Sequence, residues 1–136
     1  MTTAKLQAGD SFDELVVPPI SRTTLALFAG ASGDHNPIHI DIDVAKSAGL
    51  DDVFAHGMLS MAYLARLLTD NFPVERIRSY KVRFASVTPV YGQPTCRATV
   101  QRIDDEAGES RATLELTVTL ADGTVTLSGE AVVALD

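Results

Sequence analysis

HGMLSMAYLARLLTDNFP, residues His56 to Pro73, is the stretch whose reading decides the fold. From Gly57 to Ala65 every side chain is apolar or small except Ser60 and the phenol of Tyr63. A helix that is apolar nearly all round must be buried nearly all round. Polar residues (Arg66, Thr69, Asp70 and Asn71) gather only at the C-terminal end, and Pro73 stops the helix.

Downstream the period changes from helical to two. Tyr80, Val82 and Phe84 share one face of YKVRF, and Lys81 and Arg83 take the other. Cys96, Ala98 and Val100 alternate with Arg97, Thr99 and Gln101. Ala112, Leu114, Leu116, Val118 and Leu120 alternate with Arg111, Thr113, Glu115, Thr117 and Thr119. Val125, Leu127, Ala131, Val133 and Leu135 repeat the pattern. Such alternation marks antiparallel strands with one dry face. Asp122–Gly123 is a hairpin signal, and DDEAGE (residues 104–109) reads as a longer turn. The four strands need a cover for their apolar face, and the helix needs to be surrounded. A curved sheet wrapped around the helix satisfies both. The fold class is therefore α+β, close to the hot-dog layout, with an ordinary helix-on-sheet packing as the alternative.

Upstream, ELVVPPI (residues 14–20) reads as a short extended piece that Pro18 and Pro19 confine to an edge or an end. Ser21 is placed to cap a helix over RTTLALFAGASG, with Leu25, Phe28 and Ala29 at helical spacing. Gly33 is placed to end it in a left-handed conformation. Pro37 disfavours helix at Asn36. DVAKSAG, Asp43 to Gly49, reads as one or two further turns stopped by glycine.

The 136 residues fit one domain, expected over 1–136. A net charge of −7 excludes a general nucleic-acid or anionic-membrane binder, because both need a basic face. Local basic residues can still receive a small anionic substrate. Cys96 is the single cysteine, so no intrachain disulfide forms. No apolar run approaches the roughly 20 residues that span a bilayer, and no basic start leads into an apolar segment. A cytoplasmic location is the expectation.

The polar cluster FAGASGDHNPIHID, Phe28 to Asp41, opens several readings. All three histidines, His35, His39 and His56, fall between residues 35 and 56. The plain reading is a helix exit, with Asx turns at Asp34 and Asn36 and a loop stiffened by Pro37. A metal site on His35, His39 and Asp41 needs both histidines on one helical face, which Asn36–Pro37 denies. General acid–base catalysis by Asp34 and His39 suits chemistry that moves a proton to and from one water. A serine nucleophile has little support, since Ser32 and Ser60 lack a Gly-x-Ser-x-Gly setting and Cys96 sits mid-strand. If Gly57 opens the buried helix, its N–H is a free donor at the positive end of the helix dipole, suited to a developing enolate. Gly57 is equally readable as a residue kept small for packing, and His56 as a structural histidine.

FAGASGDHNPIHIDIDVAKSAG is similar to the signature of the (R)-specific enoyl-CoA hydratase and MaoC-like dehydratase family. The order is an aromatic, small residues, Gly-Asp-x-Asn-Pro-aliphatic-His and a spaced small residue. FAHGMLSM resembles the start of that family's central helix, YKVRFASVTPVYGQ its next strand and turn, and LQAGDSF its entry. The resemblance implies a hot-dog fold, usually dimeric. It also implies reversible hydration of trans-2-enoyl thioesters to (3R)-3-hydroxyacyl thioesters. Asp34 and His39 become the catalytic pair, the Gly57 N–H the donor to the thioester oxygen, and Asn36 the residue that holds the loop. His35 fills a variable position and has no role.

No metal and no cofactor is expected. The expected partners are an acyl-CoA or acyl-carrier-protein substrate and a second hot-dog subunit. That subunit is identical in a homodimer or related in a heterodimer, as in the carrier-protein dehydratases of mycobacterial lipid synthesis. A hot-dog thioesterase and a non-catalytic acyl-thioester-binding subunit stand as alternatives. Lys81, Arg83 and Arg97 are candidates for carrier phosphates, although alternating basic residues on an outward strand face are commonly just solvated.

Overall fold

The computed structural model describes residues 5–135; residues 1–4 and Asp136, at the ends of the expected domain, lie outside the described residues. The helix of the opening stretch is α3, Gly57–Asn71. It is preceded by α1 (Arg22–Ser32) and the short α2 (Ile42–Ser47). The strands are β1 (Leu15–Val16), β2 (Phe54–Ala55), β3 (Ile77–Phe84), β4 (Thr88–Pro89), β5 (Thr95–Glu106), β6 (Glu109–Thr119) and β7 (Val125–Ala134). Five of them form an antiparallel sheet in the order β1-β5-β6-β7-β3, and β2 pairs with β4.

The alternation places the sheet's dry face. Cys96, Ala98, Val100, Leu114, Leu116, Val118, Ala131 and Val133 are buried against Leu64, Leu67 and Leu68 of α3. A second core under α1 and α2 joins Ile20, Leu25, Ala45, Val53, Ala55, Leu59 and Val90. So α3 lies between the curved sheet and the α1–α2 layer, the α+β hot-dog arrangement. Gly129 lets β3 approach β7, since a Cβ there would lie 2.1 Å from the Lys81 carbonyl oxygen. Cys96 is fully buried mid-strand, and burial pushes its thiol up to about 11, which suits a core residue and not a nucleophile.

The local signals upstream hold. The Ser21 hydroxyl accepts from Thr24 N at 3.1 Å and caps α1, and Gly33 ends it at φ 80°. Asp41 caps α2 by accepting from Asp43 N at 2.9 Å, so the helix starts one residue before the expected Asp43.

Four details depart from the sequence reading. DDEAGE is a two-residue hairpin turn, because Ala107 and Gly108 both take positive φ (53° and 79°) between β5 and β6. Val125 is exposed, since a register shift pairs Val118 with Leu127 and turns Thr126 inward instead. Phe84 leaves the dry face of β3 and lays its ring against Gly57. Finally, α3 is not surrounded: Leu59, Ser60, Leu64, Leu67 and Leu68 are buried, whereas Met58 and Ala62 are exposed.

Candidate active site

The loop after α1 is built by its own side chains. Ser32 Oγ accepts from Asp34 N at 3.2 Å, Asp34 Oδ1 from Asn36 N at 3.2 Å, and Asn36 Oδ1 from Ile38 N at 3.1 Å. These are the Asx turns of a helix exit. Pro37 then opens a single 3-10 turn, Pro37–His39, for which Asn36 is the cap. This turn swings His39 inward while Asp34 and His35 stay exposed.

His39 is 7% exposed, and its Nδ1 lies 2.7 Å from the Phe54 carbonyl oxygen of β2. A carbonyl only accepts, so Nδ1 carries the proton and donates, leaving Nε2 with a lone pair. Nε2 lies 3.9 Å from Asp34 Oδ2. That is too long for a direct hydrogen bond and short enough for one water to bond both atoms. The edge of the Phe54 ring further fixes the imidazole, with centroids 4.9 Å apart at 80°.

His56 joins the pair from the other side. It is 2% exposed and stacks on His39 with centroids 3.9 Å apart at 28°. Its Nε2 donates to the Asp34 carbonyl at 3.1 Å, and Phe28 of α1 closes edge-on at 5.0 Å. Burial pushes its pKa below the ordinary value, and the neighbouring His39 acts in the same direction; the Asp34 bond opposes them. It is therefore a neutral imidazole at neutral pH, with Nδ1 buried and unpartnered. Sequence reading leaves His56 as a structural histidine beside an apolar run. The structure makes it the strut between the loop and α3. The one available signal was its place immediately before the helix.

Ligand atoms of Asp34, His39 and His56 lie within 4.8 Å of one another. Each of the two imidazoles already has one nitrogen bonded to a backbone carbonyl, which leaves one ring nitrogen apiece. Of the residues weighed for a metal, Asp41 is occupied by its cap and His35 is exposed.

Gly57 is the first residue of α3, so its N–H has no partner within the helix. A Cβ on it would lie 2.9 Å from the Phe84 ring, so packing explains the missing side chain. A cavity of about 260 Å³ opens here, lined among others by Ala55, Gly57, Ser60, Phe84 and Leu127. His56 falls in sequence between two of its lining residues, Ala55 and Gly57. Of the three basic candidates, Lys81 pairs with Glu130 at 3.2 Å and Arg97 with Glu14.

The family described as MaoC like domain matches residues 5–124. The 3-hydroxyacyl-thioester dehydratase Z of Mycobacterium tuberculosis is 30% identical over 118 residues, covering 82% of this chain and 78% of that protein. The (R)-specific enoyl-CoA hydratase of Rhodospirillum rubrum is 32% identical over 114 residues, covering 84% and 78%. Among solved structures, the (R)-hydratase from A. caviae involved in PHA biosynthesis superposes with a TM-score of 0.86 at 25% identity, covering 98% and 99%. A chain of the ChsH1-ChsH2 complex from Mycobacterium tuberculosis shares the fold at a TM-score of 0.81 and 20% identity, covering 95% and 98%.

Proposed function

This chain belongs to the MaoC-like family, and from that membership we propose that it interconverts trans-2-enoyl and (3R)-3-hydroxyacyl thioesters by adding or removing water. It is a hydro-lyase, as its named relatives are. The observation that carries the assignment of residues is the 3.9 Å gap between His39 Nε2 and Asp34 Oδ2.

In the hydration direction the thioester oxygen takes the Gly57 N–H, which draws electrons from the conjugated alkene. The Asp34 carboxylate and His39 Nε2 hold one water. Its oxygen adds at C3 as it gives up a proton, and a proton is delivered to C2 from the same face. The Phe54 carbonyl keeps Nε2 unprotonated at the start, and Asn36 holds the turn that aims the ring. Dehydration runs the same steps backwards.

The carrier is coenzyme A or an acyl carrier protein. A second hot-dog subunit, identical or related, completes the assembly in this reading. The exposed Met58 of α3 and the open edge of β3 support it, because bare apolar surface and unpaired strand edges call for cover.

The test uses a crotonyl thioester with the full chain. Hydration removes the enoyl absorbance without releasing thiol, whereas a thioesterase releases thiol. Asp34→Asn and His39→Gln should each lower the rate by roughly two decades or more with the fold intact. A folded Asp34→Asn chain working at the parent rate would overturn the assignment of Asp34.

A further inference from the structure

Among the described residues, two buried side-chain polar atoms have no hydrogen-bond partner: His56 Nδ1 and Ser60 Oγ. They lie on either side of Gly57 in sequence, His56 immediately before α3 and Ser60 within it. A helical serine ordinarily returns its hydroxyl to a carbonyl one turn back. Ser60 makes no such bond, although it is only 1% exposed. Burying an unpaired hydroxyl costs stability, and an apolar residue in its place would avoid that cost.

The position of Ser60 supplies a reason to keep it. It lies in the first turn of α3, three residues after Gly57, and both line the same cavity. Side chains on a helix lean back toward its N-terminus, so the hydroxyl leans toward the turn that carries the free Gly57 N–H. Two other hydroxyl residues line the cavity, Ser86 and Thr88, but neither contributes a buried hydroxyl without a partner.

We propose that Ser60 is a catalytic residue, the second hydrogen-bond donor to the thioester oxygen beside the Gly57 N–H. The inference rests on the proposed hydratase reading and deepens it. When water adds at C3, the alkene electron pair moves toward the thioester oxygen as an enolate. Ser60 shares that charge through its O–H without giving up the proton. The charge returns to carbon as C2 is protonated, and Ser60 ends as it began.

The experiment compares the full chain with Ser60→Ala and Ser60→Thr on crotonyl-CoA. Loss of one of two such donors should lower kcat about 10- to 100-fold with KM within about twofold. The melting temperature should be unchanged or higher, since a buried orphan is removed. Ser60→Thr, which keeps a hydroxyl, should retain most of the rate and serves as the second variant. A readout independent of turnover is the carbonyl stretch of crotonyl-CoA bound to the Asp34→Asn chain. It should move to lower wavenumber on binding, and adding Ser60→Ala should reverse part of that shift. A Ser60→Ala chain with kcat within twofold of the parent, or with an unchanged carbonyl stretch, overturns the proposal. A parent chain that releases thiol from crotonyl-CoA instead of removing its enoyl absorbance defeats the hydratase reading, and the carbonyl shift still decides whether Ser60 touches the thioester.

Discussion

His39 and His56 stack face to face with centroids 3.9 Å apart, and Asp34 meets both rings, one with its carboxylate and the other with its carbonyl. Each imidazole has one nitrogen tied to a backbone carbonyl. The loop, β2 and the start of α3 are thereby joined through two rings. Burial and the neighbouring His39 both disfavour a charged His56, while the Asp34 contacts oppose them.

Acid should therefore loosen the site. The folded pKa of His56 lies below its ordinary 6.5, so the unfolded chain binds the proton more readily than the folded one. The stability this group contributes is complete above pH 6.5 and is lost as pH falls from there through the lower folded value. Replacing it, as in His56→Asn, should flatten the fall of melting temperature as pH drops below 6.5. An unchanged slope in that variant would assign the acid sensitivity elsewhere.

The turn that aims His39 depends on Asn36. Its Oδ1 is the acceptor for Ile38 N at 3.1 Å, which Asn36→Ala removes. The expected loss is about 1 kcal/mol of stability and a rate reduced by roughly tenfold as the ring's aim loosens. Asn36→Asp retains the acceptor and should recover the stability. Thermal melts and crotonyl-CoA hydration on both variants make the comparison.

Gly57 and Phe84 form a packed pair. An alanine Cβ at Gly57 would sit 2.9 Å from the ring, which is half-exposed and able to yield. Gly57→Ala should cost about 1 kcal/mol, the lower end of overpacking penalties. Adding Phe84→Ala should remove most of that penalty, seen as a coupling of about 0.5 kcal/mol or more in a double-mutant cycle. Additive effects would mean that the ring does not confine this position.

Two other glycines should respond in opposite ways. Gly129→Ala drives a Cβ to 2.1 Å from the Lys81 carbonyl oxygen, so β3 and β7 must part. About 3 kcal/mol or more should be lost. Gly30, inside α1, has nothing within 4 Å of an added Cβ and no positive φ. Gly30→Ala should gain about 0.5–1 kcal/mol from the entropy of the unfolded chain. Urea unfolding of both variants measures the two signs.

Much of the architecture is legible along the chain. The Ser21 and Gly33 caps, the apolar run from Gly57 and the period-two strands are local preferences, and the structure follows them. The failures come where a neighbour intervenes. Val125 alternates correctly in sequence and is nonetheless exposed, because a bulge opposite Thr119 shifts the face by one residue. Ala107 is not a residue that advertises a left-handed turn, so the tight β5–β6 hairpin is hidden in the composition. The helix reads as apolar on all sides, yet a single sheet curves around only part of it, which leaves Met58 exposed.

The sequence by itself determined the helices and the four long strands and put Asp34, Asn36 and His39 on one short loop, since turns and caps depend on residues only a few positions apart. Only the tertiary structure decided what that loop faces. His56 bonds Asp34 across 22 positions, Phe54 bonds His39 across 15, and the Phe84 ring covers Gly57 from another element. These meetings depend on how the sheet curls over α3, a matter of packing that no periodicity along the chain records.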